Sequence, residues 1–230
     1  MMRKVKAKWR LRQVAAVYAL RFSSLFVLFH YVFPIRWSDS VVLVDLVDRL
    51  ISLGLIYFTI KRAKQSFTDL GFTVKNGRKQ ILIGAASGFV LLSASYYSEQ
   101  LYAAIFSLDN KEHPLVFLAK NADSWQNFAW PFILGAIIAP VTEELFYRLF
   151  TFLPLKQRFG FFPAMVITSL IFAVMHYNVY WLPEMLLVSG TLCWLYHRSG
   201  SLIAPITAHF IINSSKLLLL YQSTLFNSNR

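Results

Sequence analysis

The chain is poor in charge and in cysteine. Only 15% of its 230 residues are Asp, Glu, Lys or Arg, whereas soluble domains carry about 25%. With 57% hydrophobic residues and a mean hydropathy of +0.50, the composition excludes an ordinary soluble globular domain. The single cysteine, Cys193, lies in an apolar stretch, so no intrachain disulfide can form and the redox compartment stays open. No internal repeat, low-complexity tract or hydrophilic domain is present. There is no HExxH sequence, which removes that zinc-protease signature. The basic N-terminus is not followed by a small-residue cleavage site, so the first apolar run reads as an uncleaved helix rather than a signal peptide.

Long apolar runs fill the chain instead. About 20 apolar residues cross the hydrocarbon of a bilayer. Seven such segments can be drawn, Val14–Phe33, Val41–Ile60, Ile81–Phe106, Phe128–Leu153, Phe162–Tyr180, Leu182–Tyr196 and Ile203–Tyr221. The expected fold is all-α, a multi-pass transmembrane helical bundle forming one membrane domain over residues 1–230. Residues 1–127 supply the N-terminal spans and a hydrophilic outer loop (107–127, with Asp109, Lys111, Glu112, His113, Lys120 and Asp123), and residues 128–221 the core. The sixth segment is short for a full crossing and is expected to be tilted or partly buried. Ser66–Lys79, with Gly71 and Asn76-Gly77, reads as a polar turn.

Charge is strongly one-signed, 23 basic against 11 acidic residues, a net +12. Its placement argues against nucleic acid. Arg3, Lys4, Lys6, Lys8, Arg10 and Arg12 precede the first apolar run, and Lys61, Arg62, Lys64, Lys75, Arg78 and Lys79 follow the second. Clusters flanking hydrophobic spans are what anionic headgroups and the positive-inside rule produce. With Lys156, Arg158 and Arg198, fifteen basic residues fall on one side; Arg36, Lys111, Lys120 and Arg230 fall on the other. The asymmetry puts the N-terminus in the cytoplasm and the C-terminus outside.

Charges inside apolar segments cost roughly 2.5 to 3.5 kcal/mol each at a helix centre on insertion scales, and by default they mark function. Pro140 precedes adjacent carboxylates, Glu143 and Glu144, followed by Arg148. Glu144 and Arg148 stand one helical turn apart and can pair, while Glu143 lies about 100° round the helix and can face another space. Phe172 and His176 share a face of the fifth segment; His209, Asn213 and Lys216 share one in the seventh. At about 1.5 Å rise per residue, these groups can meet near mid-bilayer. Such a set suits hydrolysis, which needs a base for water, an acid for the leaving amine and donors for the oxyanion. In this reading Glu143 activates water with His176, Arg148 fixes Glu144, and His209 and Asn213 donate to the oxyanion.

Singly, each group has a plainer reading. A Glu–Arg pair can fix helix packing, and a membrane histidine or asparagine is more often an interhelical hydrogen-bonder. That plainer reading is adopted for Arg21, Asp45 and Arg49, expected to pair within the N-terminal hairpin. Lys216 and Glu184 are expected to snorkel at the outer interface. His30, His113 and His197, at span ends or in loops, are assigned nothing.

The three clusters together resemble the CPBP family, the CAAX-protease and bacteriocin-processing (Abi) intramembrane proteases. Glu143, Glu144 and Arg148 match its EExxxR motif, Phe172 and His176 its FxxxH, and His209 and Asn213 its HxxxN. The run Arg198–His209 is similar to the family's approach to its third motif. Leu149 departs from it, where members often have glycine. The firm resemblance covers about residues 129 to 215. It implies an all-helical membrane fold, endopeptidase activity that has been labelled both metal-dependent and glutamate-type, here expected to need no cofactor, and a peptide or protein substrate, prenylated in eukaryotic relatives. Bacterial relatives process peptides or confer bacteriocin immunity, and a chain this compact suits a prokaryotic plasma membrane. A Glu–His–His–Asn set could also hold zinc, but Arg148 beside the carboxylates disfavours a dication. Two other classes were weighed: a non-catalytic immunity or scaffold protein on the same fold, and a proton-coupled carrier. The carrier would show inverted repeats or paired broken helices, and the chain shows neither.

Overall fold

At membrane depth a backbone without water must bond to itself, and helices do so within one segment. A computed structural model describes residues 5–32, 37–73, 76–106 and 114–228, and among them there is no strand. The helices are α1 (Leu11–Val27, prolonged by one π-turn over Leu28–Val32), α2 (Trp37–Arg62), α3 (Gly77–Phe106) and the short α4 (Pro114–Lys120). They are followed by α5 (Trp125–Phe159), α6 (Phe161–Val174), α7 (Leu182–Ser199) and α8 (Ile203–Ser228). Each of the seven apolar segments falls on one of these helices. Among the described residues, three helical stretches are long and apolar enough to cross a membrane, Gly77–Phe106, Trp125–Phe159 and Ile203–Thr224; α6 is apolar but shorter. Charge lowers the hydropathy of α2, which carries Asp45, Asp48 and Arg49. Much of the outer loop, including Asp109, Lys111, Glu112 and His113, lies outside the described residues, as do Arg3, Lys4, Arg36, Lys75 and Arg230.

The longest helix, α5, changes register twice. It is π-helical over Ile133–Ile138 and again over Glu144–Phe152, with an α-helical turn, Ala139–Glu143, between. The prolines explain the consequences. The Ala139 N–H bonds five residues back to Leu134 O. The next bond in that register would run from residue 140 to Gly135 O, but Pro140 has no N–H. Asn213 of α8 fills the gap, donating Nδ2–H to Gly135 O at 2.8 Å. Pro154 likewise cannot donate to Phe150 O, four residues earlier. That carbonyl receives the Trp9 indole N–H at 2.9 Å, with the two rings stacked at 5.6 Å. Inserted turns of this kind often accompany functional sites, and here the second one carries Glu144 and Arg148.

Packing around α5 places the other elements. Helix α7 packs against α3, α6 and α8, with Val188, Leu192, Cys193, Leu195 and Tyr196 buried but Leu187 and Trp194 exposed, so the sixth segment is partly buried. Helices α3 and α8 cross closely where α3 has Gly84 and Gly88 and α8 has Ala204 and Ala208, small residues at four-residue spacing. A Cβ on Gly84 would stand 2.5 Å from Ala204 O, and one on Gly88 2.9 Å from Ile211 Cβ. This GxxxG stripe was not singled out in the sequence. At the end of the bundle bearing the basic loop, Gly71 (φ +95°) accepts from Leu202 N–H at 3.0 Å, and a side chain there would collide with Gly200 O. The Tyr196 hydroxyl donates to Leu70 O at 2.5 Å. Outward faces remain apolar, with Leu82, Val90 and Leu101 on α3 and Phe162 and Val174 on α6 exposed, a surface suited to lipid.

One boundary differs from expectation. The fifth segment was drawn as helix to Tyr180, but α6 ends at Val174. Tyr177 has φ +51°, and the Asn178 side chain accepts from Tyr180 N–H at 3.0 Å, a local turn that competes with the helix. His176 therefore sits in a turn.

The glycine packing gives a direct test. Gly84→Leu and Gly88→Leu should each push α3 from α8 and cost about 1–3 kcal/mol by overpacking. Gly54→Ala, with nothing within 4 Å of the added carbon, should be neutral or slightly stabilising. Thermal unfolding of the detergent-purified protein, followed by size-exclusion recovery, separates the two.

Candidate active site

Glu144 and Arg148 occupy the π-helical turn of α5 and are completely buried. Arg148 Nε lies 3.0 Å from Glu144 Oε2, an ion pair by distance whose angles fall short of a good hydrogen bond. The guanidinium also lies over the Phe172 ring at 4.9 Å, and Nη2 reaches Ser189 O of α7 at 3.5 Å. Phe172 thus supplies an aromatic face to a desolvated cation.

The other Glu144 oxygen, Oε1, accepts from His209 Nδ1 of α8 at 2.9 Å. Since a carboxylate can only accept when ionised, Nδ1 carries the proton and the ring is oriented. Its far nitrogen, Nε2, lies 3.9 Å from Glu143 Oε2. His209 therefore sits between the two adjacent glutamates.

Glu143, one position earlier, faces a different space, a cavity of about 130 Å³, large enough for several waters. His176 lines the same cavity. Its Nδ1 lies 2.7 Å from Phe172 O, which accepts only, so Nδ1 is the protonated nitrogen and Nε2 retains its lone pair. That carbonyl is free for this bond because α6 ends beside it. The helix end and the ring orientation are one feature.

Asn213 stands apart from the cavity lining. One amide N–H is engaged with Gly135 O, and its second remains for another acceptor. The structure brings Glu143, Glu144, Arg148 and His209 into one connected group and sets His176 across the shared cavity from it. Asn213 joins through the α5 backbone. Leu149, the departure from the family pattern, is fully buried in the main core.

Two expectations change. Arg21 does pair within the N-terminal hairpin, but with Asp48, Nε to Oδ1 at 2.8 Å. Arg49 pairs with Asp45 at 2.7 Å and also reaches across to α5, where Nη1 lies 2.8 Å from Thr142 Oγ1 and 3.3 Å from Glu143 Oε1. The i,i+4 spacing reveals the first contact; nothing in the sequence signals the others, which join positions more than ninety residues apart. Glu184 is buried rather than snorkelling at the interface, and the partly exposed Lys216 bonds its Oε1 at 2.6 Å and Glu99 Oε2 at 3.2 Å. Among the described residues, no group of three or more His, Cys, Asp or Glu side chains is arranged to hold a metal ion.

The structure is a helical bundle with apolar outer sides and ionisable groups gathered around a small cavity. Comparison narrows the class. Residues 125–215 match a family model described as Rce1-like, type II CAAX prenyl endopeptidase, and this stretch contains all three motifs. A protein of Bacillus subtilis (strain 168) named "Putative membrane peptidase YdiL" is 26% identical over 147 residues, 62% of this chain and 59% of that protein. The chain thus matches about three-fifths of the relative's length. No solved structure matches. The two findings support a CPBP-family membrane peptidase, as the motifs implied.

The buried pair makes a stability prediction. Removing one partner strands an uncompensated buried charge, which costs about 3–5 kcal/mol, while removing both costs less. Arg148→Met should lower the thermal midpoint in detergent far more than Glu144→Gln combined with Arg148→Met.

Proposed function

We propose that the protein is an intramembrane endopeptidase that hydrolyses a peptide bond of a membrane-associated substrate, with water activated by Glu143 and His176. The observation that carries this reading is the shared cavity. An acceptor nitrogen, His176 Nε2, and a carboxylate, Glu143, line one cavity with room for water beside buried groups that hold their neighbours in place. A water between them gives a proton to Glu143 as its oxygen attacks the scissile carbonyl. The second Asn213 N–H is a proposed donor to the oxyanion, joined by His209 Nε2 when the ring carries a second proton besides the Nδ1–H held by Glu144, and the proton on Glu143 then passes to the leaving amine. Glu144 and Arg148 do not touch substrate in this scheme; they orient His209.

The proposed chemistry uses the core over 128–221 and no metal, the Arg148 charge disfavouring a dication near the carboxylates. The bundle crosses the membrane about seven times with a cytoplasmic N-terminus, and a prokaryotic plasma membrane suits the chain. A prenylated CAAX-type substrate is the leading candidate, on the strength of the family model. A non-catalytic immunity or scaffold role is the alternative that the same experiment separates.

Detergent-purified protein should cleave members of a quenched-fluorescent peptide library that includes farnesylated CAAX peptides. Glu143→Gln and His176→Ala should each lower kcat by about 10²–10⁴-fold, the usual contribution of a general base. A chelator should leave the wild-type rate unchanged. Activity surviving Glu143→Gln would remove the assignment, and loss to chelator with recovery on zinc would make the enzyme metal-dependent.

A further inference from the structure

We propose that Arg49, on α2 and outside the family-matched segment, is a positioning residue that holds the Glu143 carboxylate and sets the opposite charge beside it; this rests on the proposed role of Glu143. The sequence assigns Arg49 to a local pair with Asp45. The structure gives its guanidinium three tasks. Asp45, one turn earlier on α2, fixes Nε at 2.7 Å, while Nη1 is directed at both Thr142 Oγ1 and Glu143 Oε1. The Thr142 hydroxyl has a single proton, directed at the helix carbonyls of Ile138 (2.9 Å) and Ala139 (3.1 Å). Its lone pairs are therefore turned to Arg49, and the contact is a one-way donation from the arginine.

Glu143 is consequently suspended between two helices. Oε1 faces Arg49 of α2 at 3.3 Å, and Oε2 faces His209 of α8 at 3.9 Å. Neither contact is tight, which leaves lone pairs for water in the cavity. The neighbouring cation, Arg21, is engaged elsewhere: its Nε and Nη2 are held by Asp48, and its guanidinium lies over the Phe146 ring at 5.1 Å. The charged and titratable groups around Glu143 are Arg21 on α1, Asp45, Asp48 and Arg49 on α2, and Glu144, Tyr147 and Arg148 on α5. His176 after α6 and His209 on α8 complete the set. Of the two basic groups that pair with Glu143, Arg49 is the nearer, and it carries its charge at every working pH.

The N-terminal hairpin is then part of the site rather than a membrane anchor. Two readouts on the full-length protein in detergent test this. Dicyclohexylcarbodiimide, an apolar reagent that reacts with protonated carboxyl groups, labels Glu143 as a function of pH, read by mass spectrometry with Glu143→Gln as the background. In Arg49→Gln the labelling should persist to higher pH by about one unit or more, the usual effect of a neighbouring opposite charge. Arg49→Lys should stay near wild type. Unchanged labelling in folded Arg49→Gln overturns the proposal. Where Arg49→Gln alone does not fold, Asp45→Asn with Arg49→Gln leaves no stranded charge on α2 and is read by the same criterion. In the cleavage assay, Arg49→Gln should lower kcat by at least about tenfold with KM little changed, consistent with an effect on the reacting group, and Arg49→Lys should restore part of it. An unchanged kcat overturns the proposal. Wild type that cleaves nothing overturns the protease reading instead, and the labelling curves alone then decide Arg49.

Discussion

The ion pair between Glu144 and Arg148, with no exposure to solvent, is the constraint on which the rest of the site depends. Two charges removed from water are stable only if their remaining atoms find partners. Each partner fixes another element. His209 anchors α8 through Glu144 Oε1, Ser189 O anchors α7, and the Phe172 ring on α6 covers the guanidinium. Four helices are thereby tied to one i,i+4 pair. The cavity beside it, the proposed reaction site, inherits its geometry from a charge cluster outside its own lining.

Proline placement supplies the second level of organisation. Three prolines in α5 leave gaps in its hydrogen-bond ladder, and other elements fill two of them: Asn213 at Gly135 O and Trp9 at Phe150 O. The register changes set Glu143 and Glu144 facing different spaces. One glutamate turns to the cavity and α2, the other to the buried cluster and α8. A regular α-helix would also separate them by about 100°, but it would leave no open carbonyl for Asn213.

Around this core lies a ring of compensated charge. Arg21 with Asp48, Arg49 with Asp45 and Glu143, and Lys216 with Glu99 and Glu184 join α1 to α2, α2 to α5, and α3 to α7 and α8. In water such pairs stabilise little. In a membrane the alternative is an unpaired charge in hydrocarbon, so each pair specifies which helices are neighbours. In this chain ionic contacts between helices add to apolar packing in holding the bundle in register.

The sequence by itself determined the class and most of the site. Apolar runs of about twenty residues fix helices, because in lipid only helices and closed β-barrels satisfy the backbone, and barrel strands are about half that length. Glu143, Glu144, Arg148, His176, His209 and Asn213 stand out because charged and polar groups are costly where they occur. The i,i+4 spacing of Glu144 and Arg148 was enough to foresee their pairing. What only the tertiary structure decided were the long-range partners: Arg49 with Glu143, Lys216 with Glu99 and Glu184, and His209 between two glutamates. It also decided the end of α6 before His176, where a local Asn178 turn outcompetes an otherwise apolar helical run. Periodicity reports which face a residue occupies on its own helix. Which helix lies opposite is set by packing, by small residues such as Gly84 and Gly88, and by charges that must find each other across the bundle.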